Sequence, residues 1–233
     1  MPAPQTDAPA PVPPRPARNG ASARTAQLLL RVAVEMMRDG ELPAVAEVAA
    51  RAGVSRATAY RYFPSRSKLI GAVVDHSLGP VRRFQSTRTD GRERIVELFE
   101  QTFPRFKEYE PQLRAALQLS LEHVALERAG RLGEEPFRRG HRTRILADAA
   151  GPLKARIGAR RFARLLRSLS LVYGIESYVV LRDIWGSGDR EIESTARWMV
   201  DALVNAALAE ARAEAAPSRE PAAARRAAGR KTV

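Results

Sequence analysis

Apolar side chains recur along most of this chain in steps of three and four, the spacing that lines one face of an α-helix. No stretch alternates convincingly in the manner of a strand. Leu28, Leu29, Val32, Met36 and Met37 mark the inner face of a first helix over about 25–38, with Gly40 as its stop. The pattern predicts further helices over about 44–52, 56–63, 66–78, 92–108, 111–128, 137–157, 160–185 and 190–212, nine in all. Gly79-Pro80, Pro111, Gly130, Gly133, Pro136, Gly158, Gly186 and Gly188 supply the breaks. The expected fold class is all-α. Its expected parts are a helix-turn-helix unit over 21–78 and a helical bundle over 79–212.

The segment from Ala44 to Phe63 carries most of the chemistry. Val45, Val48, Ala49 and Ala52 stand at i, i+3, i+4 and i+7, so the second helix has one apolar face. Gly53 suits the left-handed turn that ends a helix, Val54 can plug the corner, and Ser55 is a good N-cap for the third helix. A turn this short crosses the helices steeply and leaves the second one exposed. At about 100° per residue, Ala59 and Phe63 turn inward. Ala57 and Arg61 point the opposite way beside Thr58, with Tyr60 and Tyr62 on the flanks. Small residues there let the helix sit deep in a groove, where Arg61 can donate to guanine and Thr58 can touch a thymine methyl or a phosphate. The tyrosine hydroxyls suit phosphate oxygens. Arg56 stands at the helix start, where base edges are met. Ser65 caps the fourth helix, whose first-turn N–H groups form an anion site with Arg66.

Charge sharpens that reading. The net charge of +13 favours a polyanionic partner, although the scarcity of lysine shows that arginine usage is broadly inflated. Distribution says more than the total. No acidic residue lies between Glu47 and Asp75, while Arg51, Arg56, Arg61, Arg66 and Lys68 all do. With no cysteine, thiol redox chemistry and thiolate metal sites drop out, and His76, His123 and His141 lack metal-ligand spacing. No metal or cofactor is expected. No apolar run is long enough to span a bilayer, and the start of the chain lacks the pattern of a secretory signal, so a cytoplasmic location is expected. Residues 1–20 are rich in proline and 213–233 are basic and alanine-rich; both are expected to be disordered tails. The second is either a solubilising end or an auxiliary contact to DNA phosphates.

Ala52-Gly53-Val54-Ser55, Thr58-Ala59-Tyr60-Arg61-Tyr62-Phe63 and Ser65-Arg66 together resemble the helix-turn-helix of the TetR family of bacterial transcription regulators. The resemblance covers about 24–78. Ala44 departs from it by standing where the family often has a capping Thr or Ser, and Arg66 by replacing Lys. The resemblance implies a homodimer on double-stranded DNA with a palindromic operator, repression as the default, and release by a small-molecule effector.

The rest of the chain fits that expectation. The 160–185 segment is apolar around most of its circumference, with Leu165, Leu169, Val172, Tyr173, Val179 and Val180 on one side and Leu171, Ile175 and Tyr178 on another. Such a helix must be covered on every side. With the Val200, Leu203, Val204, Ala207 and Leu208 stripe it suggests a homodimer interface within 160–212, the alternative being a plain core hairpin. Candidate effector contacts are Phe103, Phe106, His123, Tyr173 and Glu176. The aromatic residues and His123 can equally be core, and Glu176 can equally pair with Arg182 or with an arginine of a neighbouring helix. Arg138, Arg139, Arg142 and Arg144 read as a solvated face. Two other readings stand behind an effector-responsive regulator: a DNA-binding protein without an effector, and an all-helical enzyme. For the last there is no nucleophile–base constellation, carboxylate pair or phosphate-binding glycine loop.

Overall fold

The computed structural model describes residues 20–138 and 140–215, and every regular element among them is helical. Residues 1–19 of the proline-rich tail, 216–233 of the basic tail, and Arg139 lie outside the described residues. Helices α1 (Gly20–Arg38), α2 (Val45–Arg51), α3 (Arg56–Tyr62) and α4 (Arg66–Leu78) follow the expected order, with α1 beginning earlier than its periodicity suggested. A 3-10 turn (Gly79–Arg83) leads to α5 (Gly91–Glu108) and α6 (Glu110–Arg128). Then come α7 (His141–Ala150), α8 (Lys154–Val172), α9 (Ile175–Val179), a π-turn (Val180–Ile184) and α10 (Asp189–Ala215). No described helix is long and apolar enough to cross a membrane.

Local chemistry sets the N-terminal boundaries. Gly53 takes a φ of 65° in the tight turn after α2. Ser55 Oγ accepts from the Thr58 N–H at 3.2 Å, and Ser65 Oγ accepts from the Lys68 N–H at 3.1 Å. Ala44 has no side chain with which to cap α2, but its own N–H donates to Glu47 Oε2 at 2.7 Å, which supplies half of a capping box.

The later boundaries depart from the periodicity. The expected 137–157 helix starts at His141 and is interrupted by a 3-10 turn at Gly151–Leu153, and α8 is kinked at Gly158. The expected 160–185 helix is cut at Gly174; counted as one element, α8 and α9 restore the nine-helix layout. At the cut only glycine fits. Arg142 donates to Glu176 Oε2 at 2.6 Å across the Gly174 backbone, and a Cβ on Gly174 would lie 2.4 Å from both side chains. At the other end, 213–215 belong to α10 and not to a tail.

Two apolar clusters form. Leu29, Met37, Val48, Ala49, Ala59, Leu69, Ile70 and Val73 join α1–α4, and α6 completes this first cluster with Ala115, Ala116 and Leu119. The second gathers α5 and α7–α10 around Leu98, Leu146, Leu165, Leu169, Tyr178 and Val200. Val74 of α4 packs against both.

The buried and exposed positions of α6 give a direct test. Leu119 is fully buried, whereas Leu121 is 63% exposed. Leu119→Ala should cost about 2–5 kcal/mol in urea unfolding, and Leu121→Ala should stay within about 0.5 kcal/mol. Equal costs would contradict the role of α6 as the floor of the N-terminal cluster.

Candidate functional site

Helix α3 stands on its apolar side. Ala59 is fully buried and Phe63 packs against the first cluster, so Arg56, Ala57, Tyr60 and Arg61 are turned to solvent. Neither Arg56 nor Arg61 has a carboxylate partner among the described residues. That follows from the acid-free composition of the segment, and it leaves an uncompensated positive ridge. Arg61 lies over the Tyr62 ring, 5.2 Å from its centroid, and reaches the Tyr62 hydroxyl at 3.3 Å. Thr58 is half-buried, and its Oγ1 accepts from Ser55 Oγ at 2.9 Å.

The structure gives two of the sequence candidates inward partners. Tyr62 donates its hydroxyl to Ser22 Oγ at 3.0 Å and so fastens α3 to the start of α1. Arg66 turns back from α4, donating to the Leu42 carbonyl at 2.6 Å and approaching Glu122 of α6 at 3.6 Å. The Ser67 N–H in the first turn of α4 meets Glu134 Oε2 at 3.2 Å, while Ser67 Oγ donates to the Glu135 carbonyl at 2.8 Å. The loop after α6 is therefore clamped onto the start of α4. His123 belongs to that clamp: it is buried, its Nδ1 accepts from the Phe137 N–H at 3.1 Å, and its Nε2 lies 3.5 Å from Glu134.

A cavity of about 460 Å³ opens between α4, α5, α6, the 135–138 loop, α7 and the α8–α9 junction. Of the effector candidates, Phe106 and Tyr173 line it. Phe103 instead borders a smaller cavity of about 120 Å³ between α5 and α10. His123 and Glu176 do not line the large cavity, although Arg142, the ion-pair partner of Glu176, does. Glu176 thus pairs with an arginine of a neighbouring helix rather than with Arg182. Arg142 is only 24% exposed, which corrects its expected place on a solvated face; Arg138 and Arg144, near 75% exposed, keep that place. Burial pushes the Tyr173 phenol up to about 12, and its hydroxyl shares a 2.9 Å hydrogen bond with Thr102.

Sequence reasoning missed Arg82, His141, Ile145 and Phe137, which also line the cavity. It also missed the inner stripe of α4: Ser67, Gly71, Val74 and Leu78 stand at i, i+4, i+7 and i+11 and all face the cavity. That spacing was a usable signal for a second buried face on α4.

Comparison with known proteins agrees with this architecture. Residues 29–73 match the family model for bacterial regulatory proteins of the tetR family. The HTH-type transcriptional repressor LfrR of Mycolicibacterium smegmatis is 38% identical over 58 residues, which is 25% of this chain and 31% of that protein. The match thus spans under a third of the relative's length. The crystal structure of a tetR-family transcriptional regulator from Streptomyces coelicolor superposes with a TM-score of 0.54 at 17% identity, covering 88% of this chain and 96% of that one. A TetR transcriptional regulator from Rhodococcus sp. RHA1 gives 0.51 at 20% identity, covering 76% and 96%. At these identities the two structures speak for the fold. Residues 29–73 thus match the tetR-family model, and the described chain has the all-helical fold of these two TetR regulators.

Proposed function

We propose that this chain is a sequence-specific transcriptional repressor that binds a palindromic operator as a homodimer and releases it when a small molecule enters the cavity beside α4. The observation that carries the reading is the carboxylate-free ridge Arg56–Ala57–Tyr60–Arg61, raised on the buried Ala59. Such a ridge presents guanidinium donors to base edges with nothing in its own chain to neutralise them. Arg56, Ala57, Thr58, Tyr60 and Arg61 are assigned to DNA. Tyr62 and Arg66 hold the ridge in place through Ser22, Leu42 and Glu122. The DNA-binding unit is placed at 21–78 and the effector-binding and dimerising unit at 79–212. The relative from Mycolicibacterium smegmatis is a transcriptional repressor, which favours repression here.

Dimerisation through 160–212 is supported by large apolar side chains left in water: Leu171 is 79% exposed, Ile184 74%, Trp185 75% and Trp198 71%. Isolated exposed apolar residues are ordinary, but several on successive elements mark an interaction surface. Val204, at 1% exposure, belongs to the subunit's own core, so Leu171 and Trp198 are the positions that probe the interface. A dimer must set its two α3 helices one helical turn of DNA apart, about 34 Å, or a multiple of it. A ligand against α4 changes that spacing only if it binds the two arrangements unequally. An effector-independent DNA-binding protein would have no use for a cavity walled by α4.

Arg61→Ala should cost roughly 1–3 kcal/mol of operator binding and relax preference at one base pair per half-site. Tyr60→Phe should weaken all sequences alike. Fluorescence anisotropy on operator variants checks both, and an unchanged base preference for Arg61→Ala would reject this placement of the ridge. Sedimentation should show a wild-type dimer at micromolar concentration and monomers for Leu171→Glu with Trp198→Glu. A wild-type monomer would remove the dimer reading.

A further inference from the structure

The chemical class of the effector can be read from the cavity's charges, given the effector role argued above. Four lining side chains are cationic (Lys68, Arg82, Arg138 and Arg142) and two are anionic (Asp75 and Glu135). Most of these charges are already satisfied. Lys68 lies 2.8 Å from Glu135, and Arg138, well exposed, pairs with Glu127 at 3.4 Å. Arg142 is held by the Ser170 carbonyl at 2.9 Å and by Glu176, which braces the α8–α9 junction.

Arg82 differs. Its side chain is 16% exposed, yet Asp75, itself 56% exposed, is the one carboxylate paired with it among the described residues. Arg82 is the least exposed of the four cations, and a guanidinium with five N–H donors keeps donors beyond those that face Asp75. His141 joins Arg82 in the cavity lining. Burial and then the neighbouring Arg82 charge hold the His141 imidazole below its ordinary value, and burial lowers Arg82 in the same direction. At His141, itself exposed, the charges of Arg82 and Arg144 act against that of Asp75, so the corner is electropositive beside a half-buried Arg82. A cation would enter against that field, while an anion would relieve it. The cavity wall also carries apolar and aromatic side chains, Phe106, Ile145 and Tyr173. A volume of about 460 Å³ falls within the range of ligand sites.

We propose that the effector is an amphipathic organic acid, its anionic head held by Arg82 and His141 and its apolar body laid against Phe106, Ile145 and Tyr173. Arginine can grip a carboxylate through two parallel N–H bonds, a geometry that a neutral or cationic head cannot use.

The test is calorimetry on the full chain with two matched pairs, decanoate against decylamine and 2-naphthoate against 2-naphthylmethylamine. At least one acid should bind at least tenfold more tightly than its amine. Arg82→Gln should weaken that acid at least tenfold, with Arg82→Lys recovering part of the loss. If Arg82→Gln fails to melt cooperatively, His141→Gln carries the test and should weaken the same acid severalfold. An amine that binds as well as its acid, two acids that fail to bind below millimolar concentration, or variants that bind the acid like wild type would each overturn the proposal. Gel shifts with operator DNA keep this separate from the effector reading. Acid binding without operator release sinks the effector role alone, and release by an amine sinks the ligand class alone.

Discussion

Helix α4 has to be buried on two sides at once. Leu69, Ile70 and Val73 close the core that supports α3, Val74 packs into both clusters, and Leu78 packs into the second. Both ends are pinned by arginines bonded to backbone carbonyls. Arg66 reaches Leu42 at the α1–α2 connection, and Arg105 of α5 donates to Ser77 at 2.7 Å and to His76 at 2.9 Å. A rod packed and pinned in this way moves as a unit or not at all, because close-packed interiors switch between arrangements rather than deform smoothly. The cavity lies along its inner stripe. Whatever fills the cavity therefore touches the helix that closes the core beneath α3, where the proposed DNA-reading ridge stands.

The loop after α6 tightens the same connection. Glu135 and Phe137 line the cavity, and their neighbour Glu134 is bonded to the Ser67 N–H. His123, tied to both Phe137 and Glu134, holds the loop in register with α6. An occupant that displaced Phe137 would reach the first turn of α4 through contacts at hydrogen-bond distance.

What could be read from the sequence was local. The Ser55 and Ser65 caps, the turn at Gly53 and the inward face of Ala59 and Phe63 depend on residues within one or two helical turns, and each stands where it was expected. Interactions distant in sequence were not legible. Arg66 was read from sequence as a phosphate ligand, and its bonds to Leu42 and Glu122 were out of reach because those acceptors come from other elements. The break at Gly174 lies where Arg142 crosses to Glu176, 34 positions away, so apolar periodicity ran straight through it. The candidate cavity was half legible. Phe106 and Tyr173 could be named as aromatic residues on core helices, whereas Arg82 and His141 join them only through tertiary packing. Val204 and Leu171 show the same limit, since helical periodicity does not separate a face covered by the subunit's own core from one left in water.

The claim on which this account rests is that occupation of the cavity is transmitted to α3 through α4. Gly71 offers a way to test it without any ligand. It faces the cavity from α4, and a Cβ placed there would meet only Phe137 Cε2, at 4.0 Å. Operator affinity of Gly71→Phe, measured beside its sedimentation and melting, is the direct measurement. The account predicts a folded dimer whose operator affinity has fallen at least tenfold. A folded dimer that binds operator as tightly as wild type would contradict it.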